Sequence, residues 1–198
     1  MGLVAKDKPY LVVHGGHKVY FLEPKPSDYD PLRVAKALAN ENRFAGSYGP
    51  YSVTQHQVLV SLAVEALGGT PRQQLAGLVH DAAEMVTGDI PSPLKKYFMG
   101  YNYIEALQNT AIEARYKVYL DDPIVRDADK LLFAAEVRML VPKAQQSAFD
   151  IDPKYRLEVQ PGWANVMPWD YHESVSGWMD RHDSLLENIV PSDPDERS

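Results

Sequence analysis

The sequence predicts an all-α fold, a helical bundle carrying a small β-hairpin at its N-terminus. Three observations predict it. Apolar residues recur at three and four through most of the chain, as in Ile104, Leu107, Ala111, Ala114 and Val118. Helix-start signals stand at Ser52 with Gln55, Thr70-Pro71 with Gln73, Ser92-Pro93 and Asp122-Pro123. Strand-like alternation is confined to PYLVVHGGHKVYFLE, where β-branched and aromatic residues flank Gly15-Gly16.

At 198 residues, with 45% hydrophobic and 24% charged residues, the chain suits one domain over residues 1–190 with a sizeable core. A formal charge of −7 argues against a broad nucleic-acid or anionic-membrane surface. There is no Cys, so disulfides and thiolate ligands are excluded, and a metal would rely on His, carboxylate and water. The N-terminus MGLVAKDKPYLVV has no signal-peptide pattern, and no apolar run approaches the roughly 18 residues of a membrane span. The expected compartment is therefore the cytoplasm.

In chain order, the hairpin spans residues 10–22 with a two-residue turn at Gly15-Gly16. His14 and His17 flank that turn and are expected to be solvated. Proline-rich LEPKPSDYDP connects to a short helix, Pro31 to Asn40, with Val34, Ala35 and Leu38 on one face. A loop carrying Arg43 and Phe44 follows. A capping box at Ser52 and Gln55 then starts a helix at Val53, with His56 in its first turn and an apolar run through Val58, Leu59, Leu62, Ala63, Ala66 and Leu67. The next helix begins at Thr70-Pro71 and runs to Thr87, with Gly88 ending it.

That helix holds LVHDAAEMVTGDIP, which gathers His80, Asp81, Glu84 and Asp89. Asp81 and Glu84 are three apart and His80 and Glu84 four apart, so their side chains can address one site. An imidazole beside carboxylates is what a divalent metal or a proton-transfer site requires. The apolar neighbours Leu75, Leu78, Val79, Ala82, Ala83 and Val86 bury the helix, so its acids need partners. Ser92-Pro93 then leads into Lys95 and Lys96. A helix from Tyr103 to Tyr119 precedes one opening at Pro123. There Asp127 and Asp129 are both candidate acidic ligands, and Ala128, Leu131, Leu132, Ala135 and Met139 offer a packing face. Residues 142–169 read as irregular. A last helix, 170–189, turns Val175, Trp178, Met179, His182, Leu185, Leu186 and Ile189 to the core. His172 and His182 are structural in this reading, and the tail 191–198 is disordered.

His56, then His80-Asp81, then Asp129, spread over consecutive helices, resembles the HD superfamily of metal-dependent phosphohydrolases. HDAAEMVTGDIPSPLK is similar to HDxxE followed by GDxPxPxK in the bacterial HD-domain 5′-deoxynucleotidases. The loop NRFAGSYGPYSVTQH is similar to both those enzymes and the phage dATP triphosphohydrolases, and VRDADKLLFAAEVRMLVP looks like their fifth helix. The resemblance implies an HD-domain helical bundle whose metal-site core spans residues 31–141. It implies one divalent transition metal (cobalt, manganese, zinc or nickel) held by His56, His80, Asp81 and Asp129. Glu84 and Asp89 become the catalytic carboxylates, Glu84 for the attacking water and Asp89 for the leaving nucleoside oxygen. Arg43, Phe44, Lys95 and Lys96 become substrate contacts, with Phe44 standing where several relatives hold Trp.

The activity implied is hydrolysis of a 2′-deoxynucleotide at the phosphorus of its 5′ ester, with the dATP-type triphosphohydrolase placed first and a 5′-deoxynucleotidase on monophosphates second. A nucleotide-sensing HD module with little turnover is the alternative of another class, and cleavage of a cyclic or alarmone phosphodiester ranks third. The expected partners are a small-molecule nucleotide and further copies of the chain, a dimer or higher homo-oligomer, with Tyr97, Tyr101, Tyr103 and Trp169 as candidate interface aromatics. No nucleic acid and no membrane is expected.

Overall fold

A computed structural model describes residues 8–156 and 161–189; the 191–198 tail lies outside the described residues. Strands β1 (Tyr10–Val13) and β2 (His17–Tyr20) pair antiparallel, Tyr10 opposite Tyr20 and Val13 opposite His17. The connection is a three-residue 3-10 turn, His14–Gly16, rather than the expected two-residue one. Gly15 and Gly16 sit at φ 81° and 73°, left-handed conformations that reverse the chain without a Cβ clash. His17 is only partly exposed, because its Nε2 lies 2.7 Å from Oδ1 of the buried Asp28 and ties the hairpin to the connecting segment. His14 remains exposed.

Eight α-helical segments are described. Helix α1 (Pro31–Leu38) is capped by Asp30, whose side chain accepts from the Arg33 N–H, and it buries Val34, Ala35 and Leu38 as expected. The others are α2 (Val53–Ala66), α3 (Pro71–Val79), α4 (Glu84–Thr87), α5 (Ser92–Lys95), α6 (Tyr101–Tyr116), α7 (Pro123–Leu140) and α8 (Tyr171–Asn188). No described helix is long and apolar enough to cross a membrane.

Helix α2 is the axis of the fold. It is buried on almost every side from Val53 to Val64 and packs against α3, α7 and α8. A helix surrounded in this way must satisfy its polar side chains internally. Thr54 donates to the Ala35 carbonyl, Gln57 accepts from Trp178 Nε1, and Ser61 accepts from Arg181 Nε. The Ser52 hydroxyl caps the helix by accepting from the Gln55 N–H, but the Gln55 side chain does not complete the expected box. It reaches outward instead, donating to the Asn165 and Met167 carbonyls and accepting from the Trp169 N–H, which fastens the irregular segment to the core. The box at Thr70 and Gln73 is complete.

Several expected faces shift. Helix α6 starts two residues early and ends at Tyr116, where Lys117 turns left-handed at φ 53°. Its buried stripe runs Tyr101, Gln108, Ala111, Ile112 and Tyr116, leaving Ala114 exposed. Ala66, Leu67, Met139 and Leu186 are exposed rather than core, each near the end of its helix. His182 stacks on Trp178 in the core, whereas His172 is exposed. Of the four aromatics proposed for an interface, Tyr97 and Tyr103 are exposed, Tyr101 is buried and Trp169 packs on the core.

The α2–α3 corner depends on a close approach at Gly69. A Cβ there would stand 2.4 Å from Val64 Cγ1 and 3.0 Å from the Val64 carbonyl oxygen. Gly69→Ala is therefore expected to destabilise the protein by about 1–3 kcal/mol, the usual cost of overpacking. An unchanged urea midpoint would contradict this.

Candidate metal centre

His56 enters from the first turn of α2 and is fully buried. Its Nδ1 lies 2.6 Å from Glu136 Oε1, and its Nε2 lies 3.2 Å from Asp129 Oδ1 and 3.5 Å from Asp81 Oδ2. His80 approaches from the end of α3, its Nδ1 2.8 Å from the Gly77 carbonyl oxygen. A carbonyl oxygen can only accept, so this Nδ1 carries a proton and the neutral ring presents a lone pair at Nε2. That atom is 3.1 Å from Asp81 Oδ2 and 3.9 Å from Asp129 Oδ1. Both Nε2 atoms are shut off from solvent, and neither makes an aligned hydrogen bond.

One ligand atom each from His56, His80 and Asp129 lie within 4.8 Å of one another, and this group could hold a metal ion. Asp81 falls outside that tightest trio, yet its Oδ2 stands beside both imidazoles. Two ligands about 2.1 Å from one ion, at tetrahedral or octahedral angles, are separated by roughly 3.0–3.4 Å. The 3.1, 3.2 and 3.5 Å separations match that spacing, while the 3.9 Å edge is open by about half an ångström. Two orphaned imidazole nitrogens facing two carboxylates therefore fit a cation.

The helix expected to continue to Thr87 is broken. Helix α3 ends at Val79 and α4 begins at Glu84; residues 80–83 between them turn through tight bonds, Ala82 N–H to Val79 O and Glu84 N–H to Asp81 O, each 3.0 Å. With about three residues per turn, positions three apart eclipse, which stacks Glu84 beside Asp81. Ala82 and Ala83 face the core, so the polar side of the turn carries the acids. Gly88, at φ 73°, ends α4 and releases Asp89.

Glu84 is 7% exposed, and its Oε2 is buried without a partner. Burial, with the charges of Asp81 and Asp89 added, pushes its carboxyl up to about 10, although Arg43 and Lys95 oppose the shift. Burial also raises Asp89, against the pull of Arg43. Burial acts to raise Asp81 and Asp129 too, but the imidazoles outweigh it and hold both carboxyls low. For His56, burial and Arg43 pull the ring down, while Glu136 and Asp129 prevail and lift it to about 9; His80 is likewise raised against burial, by Asp81.

Arg43 donates from Nη2 to Glu136 Oε2 at 3.3 Å, and its Nη1 stands 3.9 Å from Asp89 Oδ1 and 4.0 Å from Asp81 Oδ2. Its loop is closed by the Arg43 N–H to Tyr51 O and the Val53 N–H to Glu41 O, both 2.9 Å. Phe44 and Ala45 are left-handed at φ 56° and 50°. The Phe44 ring stacks on Phe133 and meets Phe149 and Tyr48 edge-on. Lys95 turns inward to Glu105 at 2.9 Å and Glu84 at 4.0 Å. Lys96 does not; it is exposed, over the Tyr97 ring. Of the two α7 aspartates, Asp129 meets the imidazoles, and Asp127 binds the Tyr155 hydroxyl away from them.

Sequence reasoning missed Glu136 and Glu41. Glu136 is fully buried and holds both His56 and Arg43. Its signal was an acid inside the apolar stretch FAAEV, on the Asp129 face at i, i+3, i+7 through Leu132. Glu41 accepts from the Asp89 N–H at 3.3 Å and had no such pattern to mark it.

Fold and site together define a mostly helical protein with a His-His-Asp cluster that could hold a metal ion. No family model matches the chain. It is 32% identical over 136 residues to the uncharacterized protein YfdR of Escherichia coli, a match covering 66% of this chain and 72% of YfdR. The chain belongs to the family of YfdR. It is also 38% identical over 96 residues to an uncharacterized Rhodobacter capsulatus protein, 46% of this chain and about half (48%) of that one.

Two measurements follow from the charge pattern. Metal entry must displace protons from imidazoles held above their ordinary range, His56 up to about 9, so affinity should tighten with pH up to about 9, by roughly tenfold per unit for each proton released. Calorimetry in buffers of differing ionisation enthalpy reads those protons directly, and a pH-independent affinity between pH 6 and 9 would contradict it. Glu84 binds its proton more tightly folded than unfolded, so the stability it confers is present below about pH 4.5 and lost progressively as pH rises toward 10. Glu84→Gln should therefore raise the Tm of the metal-free protein, by roughly 2–4 °C per kcal/mol recovered, and more at pH 8 than at pH 5.

Proposed function

We propose that the protein is a metal-dependent phosphohydrolase of the HD type, hydrolysing the 5′ phosphate ester of 2′-deoxynucleotides. The observation that carries this reading is the convergence of two buried, unpartnered imidazole nitrogens with Asp81 and Asp129, beside Glu84 and Arg43. A divalent transition ion such as cobalt, manganese, zinc or nickel would be held by His56, His80, Asp81 and Asp129, and would supply Lewis-acid polarisation and a water of lowered pKa. Glu136 fixes the His56 ring by taking its Nδ1 side, and the Gly77 carbonyl does the same for His80.

Arg43 offers a guanidinium to the phosphate oxygens, its Nη1 standing between Asp81 and Asp89. With a cation among the ligands Glu84 would release the proton it otherwise holds and, through its unpartnered oxygen, take that of the attacking water, while Asp89, also raised by burial, would give one to the departing nucleoside oxygen. A pure nucleotide sensor would have no use for these two acids, which supports turnover over sensing.

Between the two substrate lengths, the cations favour the monophosphate. Among the described residues Arg43 and Lys95 reach the acidic groups, and Lys95 is shared with Glu105, while Lys96 points away. A triphosphate would bring more charge than these two cations offset. The 5′-deoxynucleotidase reading therefore moves ahead of the triphosphohydrolase.

The test is a product assay of metal-reconstituted protein against deoxy- and ribonucleoside mono- and triphosphates. Deoxynucleoside with orthophosphate is the expected outcome, tripolyphosphate would restore the longer substrate, and no product with any metal would favour the sensor. His80→Ala should lose bound metal, read by elemental analysis, and at least 100-fold in turnover together. A fully active His80→Ala would sink the assignment.

A further inference from the structure

A cleft of about 350 Å³ opens between α6 and α7, with His80 and Asp129 at its inner end. Among the candidate ligands the Asp129 side chain is 40% exposed, Asp81 21%, His80 11% and His56 0%, while Arg43 and Asp89 are 15% and 12% exposed. Solvent therefore reaches the centre chiefly past Asp129, and Asp129 lies in the cleft. Two imidazole nitrogens shut off from water can be filled only along a route that the fold leaves open.

The charges along the approaches decide what travels this route. Along α7 the cleft takes Val125 and Arg126, N-terminal to Asp129, whereas Glu136, which holds Arg43, lies C-terminal to it. A cation arriving from the C-terminal side would meet the Arg43 guanidinium. Through the cleft it meets carboxylates instead. Glu113 stands in the wall, fixed by the Leu120 N–H, which donates to its Oε1 at 2.9 Å. Arg126 is bound to the Asp121 carbonyl and carboxylate, so its charge is neutralised there. Asn109 adds an amide oxygen shut off from solvent with no hydrogen-bond partner. Leu120 and Val125, both buried, are the apolar part of the wall. A cleft of one sign with low-dielectric walls focuses its field and raises the local concentration of the opposite charge. Carboxylate and amide oxygens also replace the waters of a divalent ion, so its hydration can be shed in steps before it meets the imidazoles.

We propose that this cleft is the path by which a divalent cation enters and leaves the metal centre, steered by Glu113 and received by Asp129. The proposal rests on the metal-binding part of the phosphohydrolase reading and on nothing of its substrate, so it is measured by exchange of the ion rather than by turnover.

The experiment mixes the metal-free full chain with zinc by stopped flow, following uptake with a weak fluorescent zinc indicator and release with an excess of a stronger one. Ala106→Trp, at an exposed cleft position on α6, should slow uptake and release together, by roughly fivefold or more, and leave the dissociation constant within about twofold, because a path sets both rates and the destination sets their ratio. Ala114→Trp, exposed on the same helix outside the cleft, should match the parent. Glu113→Gln keeps an oxygen for the Leu120 N–H and removes the charge. It should slow uptake by about twofold or more at about 0.01 M salt and not at about 1 M, where screening confines fields to about 3 Å. Exchange by Ala106→Trp at the parent's rates, or uptake by Glu113→Gln equal to the parent's at low salt, would overturn the path and leave the metal centre standing. A parent that binds no zinc would overturn both. Cleft-controlled exchange in a protein that hydrolyses no nucleotide would support the path and remove the hydrolase reading.

Discussion

The buried carboxylate of Glu136 is the constraint on which the centre of this protein depends. It is fully enclosed, and a buried charge is tolerated only when paired and hydrogen-bonded. Its two oxygens serve two elements, one meeting His56 on α2 and the other Arg43 on the preceding loop. Burial would raise its pKa, but these two cations hold it down and ionised. One side chain on α7 thereby sets the ring plane of a candidate ligand and the aim of the guanidinium that faces the acids. Removing its charge would leave Arg43 buried among carboxylates with its orientation unspecified.

Around that clamp the site concentrates conflict. Asp81 and Asp129 are held ionised by the imidazoles, while Glu84, buried and under the charges of Asp81 and Asp89, is driven to keep its proton. Two orphaned imidazole nitrogens and one orphaned carboxyl oxygen lie within this small volume. Such a cluster costs folding free energy wherever it occurs, and a site that must exchange protons for a cation has that cost built in.

Much of this was legible in the sequence. The helical periodicity, the starts at Ser52, Thr70 and Asp122, and the hairpin all rest on local rules, and the structure has them within a few residues. His56, His80 and Asp129 come together although 73 positions separate the first from the last. What escaped was decided by packing across elements. The break after Val79 depends on how Ala82 and Ala83 seat in the core. Gln55 abandons its cap because segment 165–169 offers three better partners. Lys95 and Lys96 are neighbours in sequence and opposites in space, since a one-turn helix leaves only one of them facing the acids. Glu41 contributes through a backbone N–H that no side-chain pattern announces.

The left-handed stretch at Phe44 and Ala45 reaches further than its loop. Non-glycine residues in that conformation cost about 1–2 kcal/mol each, so the backbone does not choose this shape unaided. The packing of the Phe44 ring on Phe133 and Phe149 offsets the strain. Phe149 follows the 3-10 segment Lys143–Ala148, and none of that segment lies among the clustered ligands. The direction of the Arg43 fork is therefore inherited from rings 90 and 106 positions downstream. Sequence drift in a stretch outside the clustered ligands is thereby tied to where the guanidinium between Asp81 and Asp89 points.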